Sequence, residues 1–298
     1  MVLMMDMVRL GGQYSKSGMV SKINAMLRFR FLFLVFMSLG LAALAYGGAA
    51  TRPAPEEILR ARITAKGPLL LHLPGIGGPR WSDRRMLAGL RDGGVQANFV
   101  IYDWTEHDPG IDALQGYARN HREAKKIADM IAAHAAADPD SPIYLTAHSG
   151  GCALAVWALE KLPEPVKVQT VLLIAPALSP GYDLTAALRH VEGKTFVFCS
   201  TLDVVVLYSG TKLFGTMDGV RSPAAGFAGF VQPPSADPLT YQKLVQFQYR
   251  KEWARYFDFG DHIGAMSRPF AKAVLAPLID PGPAPSTRPG AGLDSSRQ

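Results

Sequence analysis

Short apolar runs alternate with helical stretches along the middle of this chain, and this alternation most constrains its fold. The predicted strands lie at 68–73, 96–104, 141–147, 168–177 and 194–200. The predicted helices begin near Ser82 and cover 120–137, 150–162 and 183–191. Strands that are apolar on both faces, with helices between them, form a parallel sheet covered on both sides. The sequence therefore predicts an α/β protein, with ligands bound at the carboxyl ends of the strands.

Composition and charge exclude several other classes. The chain has 298 residues, of which 48% are hydrophobic and 19% charged, as in a sizeable globular domain. Its net charge is +6, but residues 1–30 carry most of that excess, so no nucleic-acid partner is expected. Cys152 and Cys199 have no metal-binding spacing. Two buried thiols are the favoured interpretation, a disulfide between them is the alternative, and no metal or cofactor is predicted.

Residues 31–50 form an uncharged apolar stretch directly after Arg28 and Arg30. This pattern is typical of a signal peptide, with a small-residue cleavage site ending at Ala45, and it also approaches the length of a membrane anchor. Either interpretation places the body of the protein outside the cytoplasmic membrane, secreted, periplasmic or anchored. Cleavage stays open, and so does the start of translation, at Met1, Met19 or Met26.

Four parts are expected along the chain. Residues 1–50 form the basic segment with the signal peptide or anchor, 51–65 a linker, 66–278 the α/β domain, and 279–298 a disordered tail rich in Pro and Gly.

The stretch "LTAHSGGCAL" at 145–154 lies where a predicted strand ends and a helix begins. It reads Ala147-x-Ser149-x-Gly151, close to the G-x-S-x-G pattern of a serine nucleophile on a tight strand-to-helix turn. Small residues allow that turn to close while the serine side chain points outward. Ser149 is therefore the predicted nucleophile, and a plain Gly-rich turn is the alternative.

A serine nucleophile needs a base, and the base needs an acid that orients it. In enzymes with this turn, the acid and then the histidine follow the serine along the chain. His262, in "FDFGDHIGAMS", is the histidine that fits this order, because His190 falls within a predicted helix. Asp203 follows the strand at 194–200 and is the favoured acid. The alternatives are Asp218 and Asp258, while Asp261 adjoins His262 and its side chain is expected to diverge.

Donors for an oxyanion are also present. One would be the backbone N–H of Gly150, directly after the nucleophile. The other would come from the "LPGIGG" loop after the first strand, where Ile76 or Gly75 is the expected donor. Glycines in this loop allow its backbone to approach a substrate closely.

In this order, the motifs "PGIGG", "AHSGG", "STLD" and "GDHIG" resemble those of the α/β-hydrolase superfamily, over about residues 66–278. The resemblance implies a Ser149–His262–Asp203 triad and an esterase, lipase or related serine hydrolase activity. Ala147 replaces the first Gly of the pattern. The antiparallel strands that usually lead the fold are barely represented before residue 66, so a mostly parallel sheet with short leading strands is expected.

The sequence leaves three functions to compare. The favoured one is an exported or membrane-anchored serine hydrolase that cleaves a small-molecule or lipid-like ester, thioester or amide and needs no cofactor. The others are a non-catalytic scaffold held at the membrane through residues 31–50, and an acyltransferase with the same triad.

A further expectation concerns residues 204–260, where the regular strand–helix pattern breaks. The part at 220–238 is rich in Gly and Pro and carries Phe227 and Phe230 between small residues. Long loops in compact domains are usually functional or disordered. This segment is therefore expected to shape the substrate pocket and to move in part.

Overall fold

A six-stranded sheet organises the protein, and the computed structural model describes residues 55–105 and 111–279. The strands are β1 (Leu69–Leu73), β2 (Asn98–Ile101), β3 (Ile143–His148), β4 (Val168–Ile174), β5 (Val191–Cys199) and β6 (Leu244–Gln248). Their order is β2-β1-β3-β4-β5-β6, and all five neighbouring pairs are parallel. The α/β class predicted from the apolar runs is confirmed, and β6 falls within the irregular stretch after residue 204.

Helices connect the strands and cover them. They are α1 (Pro55–Ile63), α2 (Trp81–Asp92), α3 (Ile111–Gln115), α4 (Tyr117–Ala137), α5 (Gly151–Glu160), α6 (Thr185–Arg189), α7 (Thr211–Phe214), α8 (Ala225–Ala228) and α9 (Pro238–Tyr241). A π-helical stretch, Val204–Gly210, leads into α7, and 3₁₀ turns occur at Lys251–Tyr256 and Gly264–Met266. The last helix comprises Arg268–Phe270, a π-helical part Ala271–Leu275, and Ala276–Ile279.

These helices form two packed groups. In one group α4 packs against α5, and α5 against α6, while in the other α2 packs against the last helix. Because β1 and β3 are buried along their whole length, both faces of the sheet are covered. Two glycines permit the second contact, Gly89 within α2 and Gly93 directly after it. A Cβ at Gly89 would lie 2.3 Å from the carbonyl oxygen of Arg268, and one at Gly93 would lie 2.3 Å from the Cβ of Ala276. The helix that follows His262 is thereby packed tightly against α2.

The start of the domain differs from the expectation. The expected linker at 51–65 contains α1, which is held to α4 by a 2.6 Å hydrogen bond from His134 Nδ1 to the carbonyl oxygen of Ile63. No strand precedes β1 within the described residues, the region where the sequence predicts that leading strands are barely represented. The sequence of α1, "PEEILRARI", favours a helix. Its first turn is acidic and its last turn is basic, which matches the helix dipole.

Several sequence predictions lie outside the described residues. The apolar stretch 31–50 is one of them, and the tail from residue 280 onward is another. Across 55–105 and 111–279, the structure contains no helix that is both long and apolar enough to cross a membrane. Cys152 and Cys199 are both described, both buried and both free thiols, as the favoured interpretation predicted.

Candidate active site

The turn between β3 and α5 holds Ser149 in a conformation that few side chains adopt. Its φ is 53°, in the left-handed region, and its backbone N–H donates to the carbonyl oxygen of Ile174 at 2.9 Å. Such a conformation costs on the order of 1 kcal/mol or more and persists only where the surroundings enforce it. Gly151 is part of that enforcement, because a Cβ there would lie 2.4 Å from the carbonyl oxygens of Leu73 and Pro74. The strained strand–turn–helix predicted from "AHSGG" is present.

Ser149, His262 and Asp203 form one hydrogen-bonded chain at the carboxyl edge of the sheet. Ser149 Oγ lies 3.0 Å from His262 Nε2, and His262 Nδ1 lies 2.6 Å from Asp203 Oδ2. A carboxylate accepts hydrogen bonds, so Nδ1 carries the proton and Nε2 is left to accept from the serine hydroxyl. The three residues follow β3, β6 and β5, whose carboxyl ends meet at this edge. We refer to them below as the Ser–His–Asp chain.

The other carboxylates weighed for the acid position have different partners. Asp218 accepts hydrogen bonds from the backbone N–H and hydroxyl of Ser179. Asp258 accepts from the backbone N–H of Gly260 at 2.9 Å, and Asp261 from that of Ile263 at 2.9 Å. Asp203 is therefore the carboxylate that the structure brings to His262, while its second oxygen accepts a long bond of 3.4 Å from the N–H of Leu207.

His148, directly before the nucleophile, has a role that the sequence reasoning passed over. Its Nε2 lies 2.9 Å from the carbonyl oxygen of His262, and the two imidazole rings are 4.8 Å apart. Burial first, and then the nearby imidazole of His262, lower the pKa of His148 to about 3. A neutral ring whose Nε2–H donates to that carbonyl fits both observations. The only signal in the sequence was the position of His148 beside Ser149.

A second buried histidine connects β3 to the loop after β1. We call this loop, residues 74–80, the oxyanion loop after the role predicted for it. His72 Nε2 lies 2.8 Å from Asp83 Oδ1, and His72 Nδ1 lies 2.9 Å from Thr146 Oγ1 on β3. Asp83 also accepts the backbone N–H of Arg80 at 2.7 Å. Burial raises the pKa of Asp83, but the hydrogen bond and charge of His72 outweigh it, so that the pKa is lowered overall. A polar residue inside "LLLHL" was the available signal, since a buried imidazole needs partners.

The oxyanion loop passes directly beside the nucleophile. A Cβ at Gly75 would lie 3.2 Å from Ser149 Cβ, and a Cβ at Gly150 would lie 3.6 Å from the backbone nitrogen of Ile76. The indole N–H of Trp104 donates to the carbonyl oxygen of Pro74 at 2.7 Å and holds the start of the loop. The structure therefore brings Gly75, Ile76 and Gly150, the predicted oxyanion donors, together around Ser149.

Apolar side chains flank this position. Ile76 Cγ2 and Met217 Sδ lie 3.0 Å and 3.4 Å from where a Cβ on Gly150 would be. Met217 belongs to the stretch 204–260, so part of that stretch reaches the turn that carries Ser149. A small cavity of about 20 Å³ lies behind Asp203 and His262, and a larger one of about 730 Å³ lies at the amino ends of β3, β4 and β5, away from Ser149. Within the described residues, no group of His, Cys, Asp and Glu side chains could hold a metal ion.

Comparison with known proteins identifies a family for part of the chain. A family model described as serine hydrolase matches residues 111–206, a range that includes Ser149 and Asp203. A search of curated proteins finds no match.

Three solved structures are similar at low sequence identity. Lipase B of Aspergillus fumigatus is 15% identical with a TM-score of 0.45, the match covering 78% of this chain and 59% of the lipase, so the chain spans about three fifths of that protein. A cutinase-like protein from Cryptococcus sp. is 19% identical with a TM-score of 0.33 and coverages of 72% and 91%. Carboxylesterase CesB of Bacillus subtilis is 12% identical with a TM-score of 0.37 and coverages of 85% and 98%.

The strand order, the strained serine turn and the family match all agree with the resemblance predicted from the sequence. Residues 111–206 of the chain match the serine hydrolase family, and the domain has an α/β fold with a six-stranded parallel sheet.

Proposed function

We propose that the protein cleaves a carboxylic ester, thioester or amide through an acyl-enzyme on Ser149. The observation that carries the proposal is the Ser–His–Asp chain, with 3.0 Å between Ser149 Oγ and His262 Nε2 and 2.6 Å between His262 Nδ1 and Asp203 Oδ2. A hydroxyl, a base and an orienting carboxylate in series are what acyl transfer at neutral pH requires.

Each group has a defined part in the reaction. Ser149 Oγ attacks the substrate carbonyl carbon while His262 Nε2 takes the hydroxyl proton, and His262 then gives that proton to the leaving group. Water, deprotonated by the same nitrogen, attacks the acyl-enzyme and releases the acid. Asp203 keeps the proton on His262 Nδ1 and stabilises the imidazolium that forms.

The backbone N–H groups of Gly150 and Ile76 are the proposed oxyanion donors. The Ile76 nitrogen lies 3.6 Å from the position of a Cβ on Gly150, so this N–H lies beside the serine turn, and Gly75 is the alternative donor in the same loop. Donors of this kind stabilise the charge that develops in the transition state, and losing one costs about 10²–10³-fold in kcat. With Ile76 and Met217 beside the nucleophile, we propose a small or lipid-like substrate with an apolar acyl group.

Covalent labelling tests the proposal directly. A fluorophosphonate probe should label the full chain, and Ser149→Ala should abolish labelling, while Ser141→Ala, at the amino edge of the sheet, should label normally. Asp203→Asn should lower kcat by about 10⁴-fold, because the wrong tautomer of His262 is then favoured. Labelling of the Ser149→Ala variant at the parent rate would refute the assignment.

The same preparation separates the remaining functions. A hydrolase releases acid with water alone, whereas an acyltransferase would form a new ester only when an alcohol acceptor is supplied. A chain that neither labels nor turns over any ester would be a scaffold.

We propose, in addition, that the domain acts outside the cytoplasmic membrane, on the strength of the apolar stretch 31–50 after Arg28 and Arg30. A reporter that works only outside the cytoplasm, fused after residue 60, should be active. Sequencing of the mature N-terminus distinguishes cleavage near Ala45 from a retained anchor. Activity of a reporter confined to the cytoplasm would contradict export.

A further inference from the structure

Exposed apolar side chains are concentrated around the Ser–His–Asp chain. Three described segments follow β1, β5 and β6 at the carboxyl edge: residues 74–85, 200–224 and 249–263. They make up less than a third of the described residues, yet of the fourteen large apolar side chains that are exposed, all but four lie in them. The four others are Ile58, Tyr117, Val231 and Leu239. Single exposed apolar residues are ordinary, but a concentration of them marks an interaction surface.

Six of these side chains are at least 48% exposed and lie within three positions of Asp203, of His262 or of the loop 74–80 along the chain, and we call them the apolar rim. They are Trp81, Leu202, Val204, Val205, Phe259 and Ile263, each between 48% and 66% exposed. Leu202 and Val204 flank Asp203, and Ile263 follows His262. A Cβ on Gly260 would lie 3.0 Å from Leu202 Cδ1, so the segments after β5 and β6 meet here.

The same three segments are strongly basic at their surface. Eight of their arginines and lysines are exposed: Arg80, Arg84, Arg85, Lys212, Arg221, Arg250, Lys251 and Arg255. Of their six carboxylates, two are exposed, Glu252 and Asp261. The other four are buried or half-buried: Asp83, Asp203, Asp258 and Asp218. Counting all six carboxylates, the eight cations give the three segments a formal charge of +2, equal to that of the whole chain beyond residue 30, so the positive excess of the chain lies at the active-site edge.

Some of these arginines stack on aromatic rings. A cation beside an aromatic ring is a pairing found at membrane interfaces. The guanidinium of Arg85 lies 4.5 Å from the ring centre of Trp81, and that of Arg255 lies 4.7 Å from the ring of Tyr256. In the headgroup region, the ring contacts the apolar part of the lipid while the cation beside it contacts the phosphates.

We propose that this edge binds the surface of an anionic phospholipid membrane, with the apolar rim inserted among the headgroups and Ser149 facing the lipid. Apolar area alone would suit a second copy of the chain, but the excess of cations would repel an identical positive surface and favours lipid phosphates. The proposal is independent of the acyl-transfer reaction, since Ser149→Ala should bind membranes as the parent does.

Tryptophan fluorescence provides a local probe. Trp81 is 66% exposed, whereas Trp104, Trp157 and Trp253 are buried, and the stretch 31–50 contains no tryptophan. Vesicles of brominated phosphatidylcholine mixed with phosphatidylglycerol should quench Trp81 in the full chain. Brominated phosphatidylcholine alone should quench it far less, and high salt should reverse the quenching. Each cation near such a surface is worth about a fivefold change in binding.

Matched variants separate the edge from the N-terminal stretch, which every variant retains. Val205→Ser combined with Phe259→Ser should weaken binding by about tenfold or more, as expected for two apolar insertions. Ile58→Ser combined with Leu239→Ser, two exposed residues that precede strands at the opposite edge, should bind like the parent. Trp81→Phe should remove the quenching without removing binding measured by cosedimentation.

Three results would overturn the proposal. The first is equal quenching by neutral and anionic vesicles. The second is equal binding by the two double variants. The third is sedimentation velocity that shows a dimer which the Val205→Ser/Phe259→Ser variant loses, because the edge would then be an interface between copies.

Discussion

At the scale of single residues, surrounding backbone and side-chain groups hold the Ser–His–Asp chain in place. Ser149 is held at φ 53° by backbone bonds on both sides, since its carbonyl oxygen accepts from the N–H of Cys152 at 3.1 Å and of Ala177 at 3.2 Å. His148 holds the backbone of His262, because its Nε2–H donates to the carbonyl oxygen of His262. Preorganisation of this kind spares the reaction the cost of arranging its catalytic groups.

Substitution of His148 should therefore change the rate without changing substrate binding. His148→Phe removes the bond to the His262 carbonyl, and we expect kcat to fall about tenfold, as for the loss of one hydrogen bond. His148→Gln retains a side-chain N–H donor and should lose less. KM should change little for both, as measured by steady-state kinetics with a chromogenic ester. Equal kcat values for Phe and Gln would show that the bond does not position His262.

At the scale of elements, the stretch after Asp203 contains well-packed parts. Its Gly and Pro content predicts a loop that moves in part, and that motion stays a prediction. Gly226 contacts the end of β4, where a Cβ would lie 2.5 Å from the carbonyl carbon of Ala175. The side chain of Gln246 on β6 holds the backbone of Phe230 through two bonds of 2.7 Å and 2.9 Å.

A neighbouring pair of substitutions tests this packing. Phe230 is buried and Val231 is 63% exposed. Phe230→Ala should lower the free energy of unfolding by about 3 kcal/mol, through lost burial and the cavity left behind. Val231→Ala should change it by less than about 0.5 kcal/mol. Urea unfolding measures both, and a neutral Phe230→Ala would favour the interpretation of a mobile loop.

The sequence predicts the local patterns of this molecule but not its long-range contacts. The strands, the serine turn and the order Ser149, Asp203, His262 were predictable, because local patterns and chain order encode them. The contacts of His72 with Asp83 and of Met217 with the nucleophile turn were not. Met217 reaches the site through a backbone bond of 2.9 Å to Ala177, forty positions earlier in the chain. Apolar periodicity contains no information about such long-range approaches.

At the scale of the whole molecule, one buried carboxyl links stability to pH. Burial, and to a smaller extent the charge of Asp261, raise the pKa of Asp258 to about 6 despite the N–H of Gly260. A carboxyl with a raised pKa in the folded state favours folding while it is protonated. Stability from this group is thus fully present below about pH 4 and is lost as the pH rises through about 6.

Asp258→Asn should remove that dependence. The amide can still accept the Gly260 N–H and carries no charge, so at pH 7.5 we expect the variant to be more stable by on the order of 2 kcal/mol. Near pH 4 the two proteins should be alike. Thermal or urea unfolding across this range is the measurement, and Asp140→Asn, an exposed carboxylate at the amino edge, is the control. A parent whose stability does not decline between pH 4 and 6 would contradict the assignment.

The separation of the site residues along the chain has a consequence for synthesis. Ser149 and His262 lie 113 positions apart, and His262 follows the last strand of the sheet. At about 5–20 residues per second, the ribosome needs roughly 6–23 s after adding Ser149 to reach His262. Throughout that interval the nascent chain carries a serine without its base. Under the proposed mechanism, hydrolysis therefore becomes available only once nearly the whole domain has been translated.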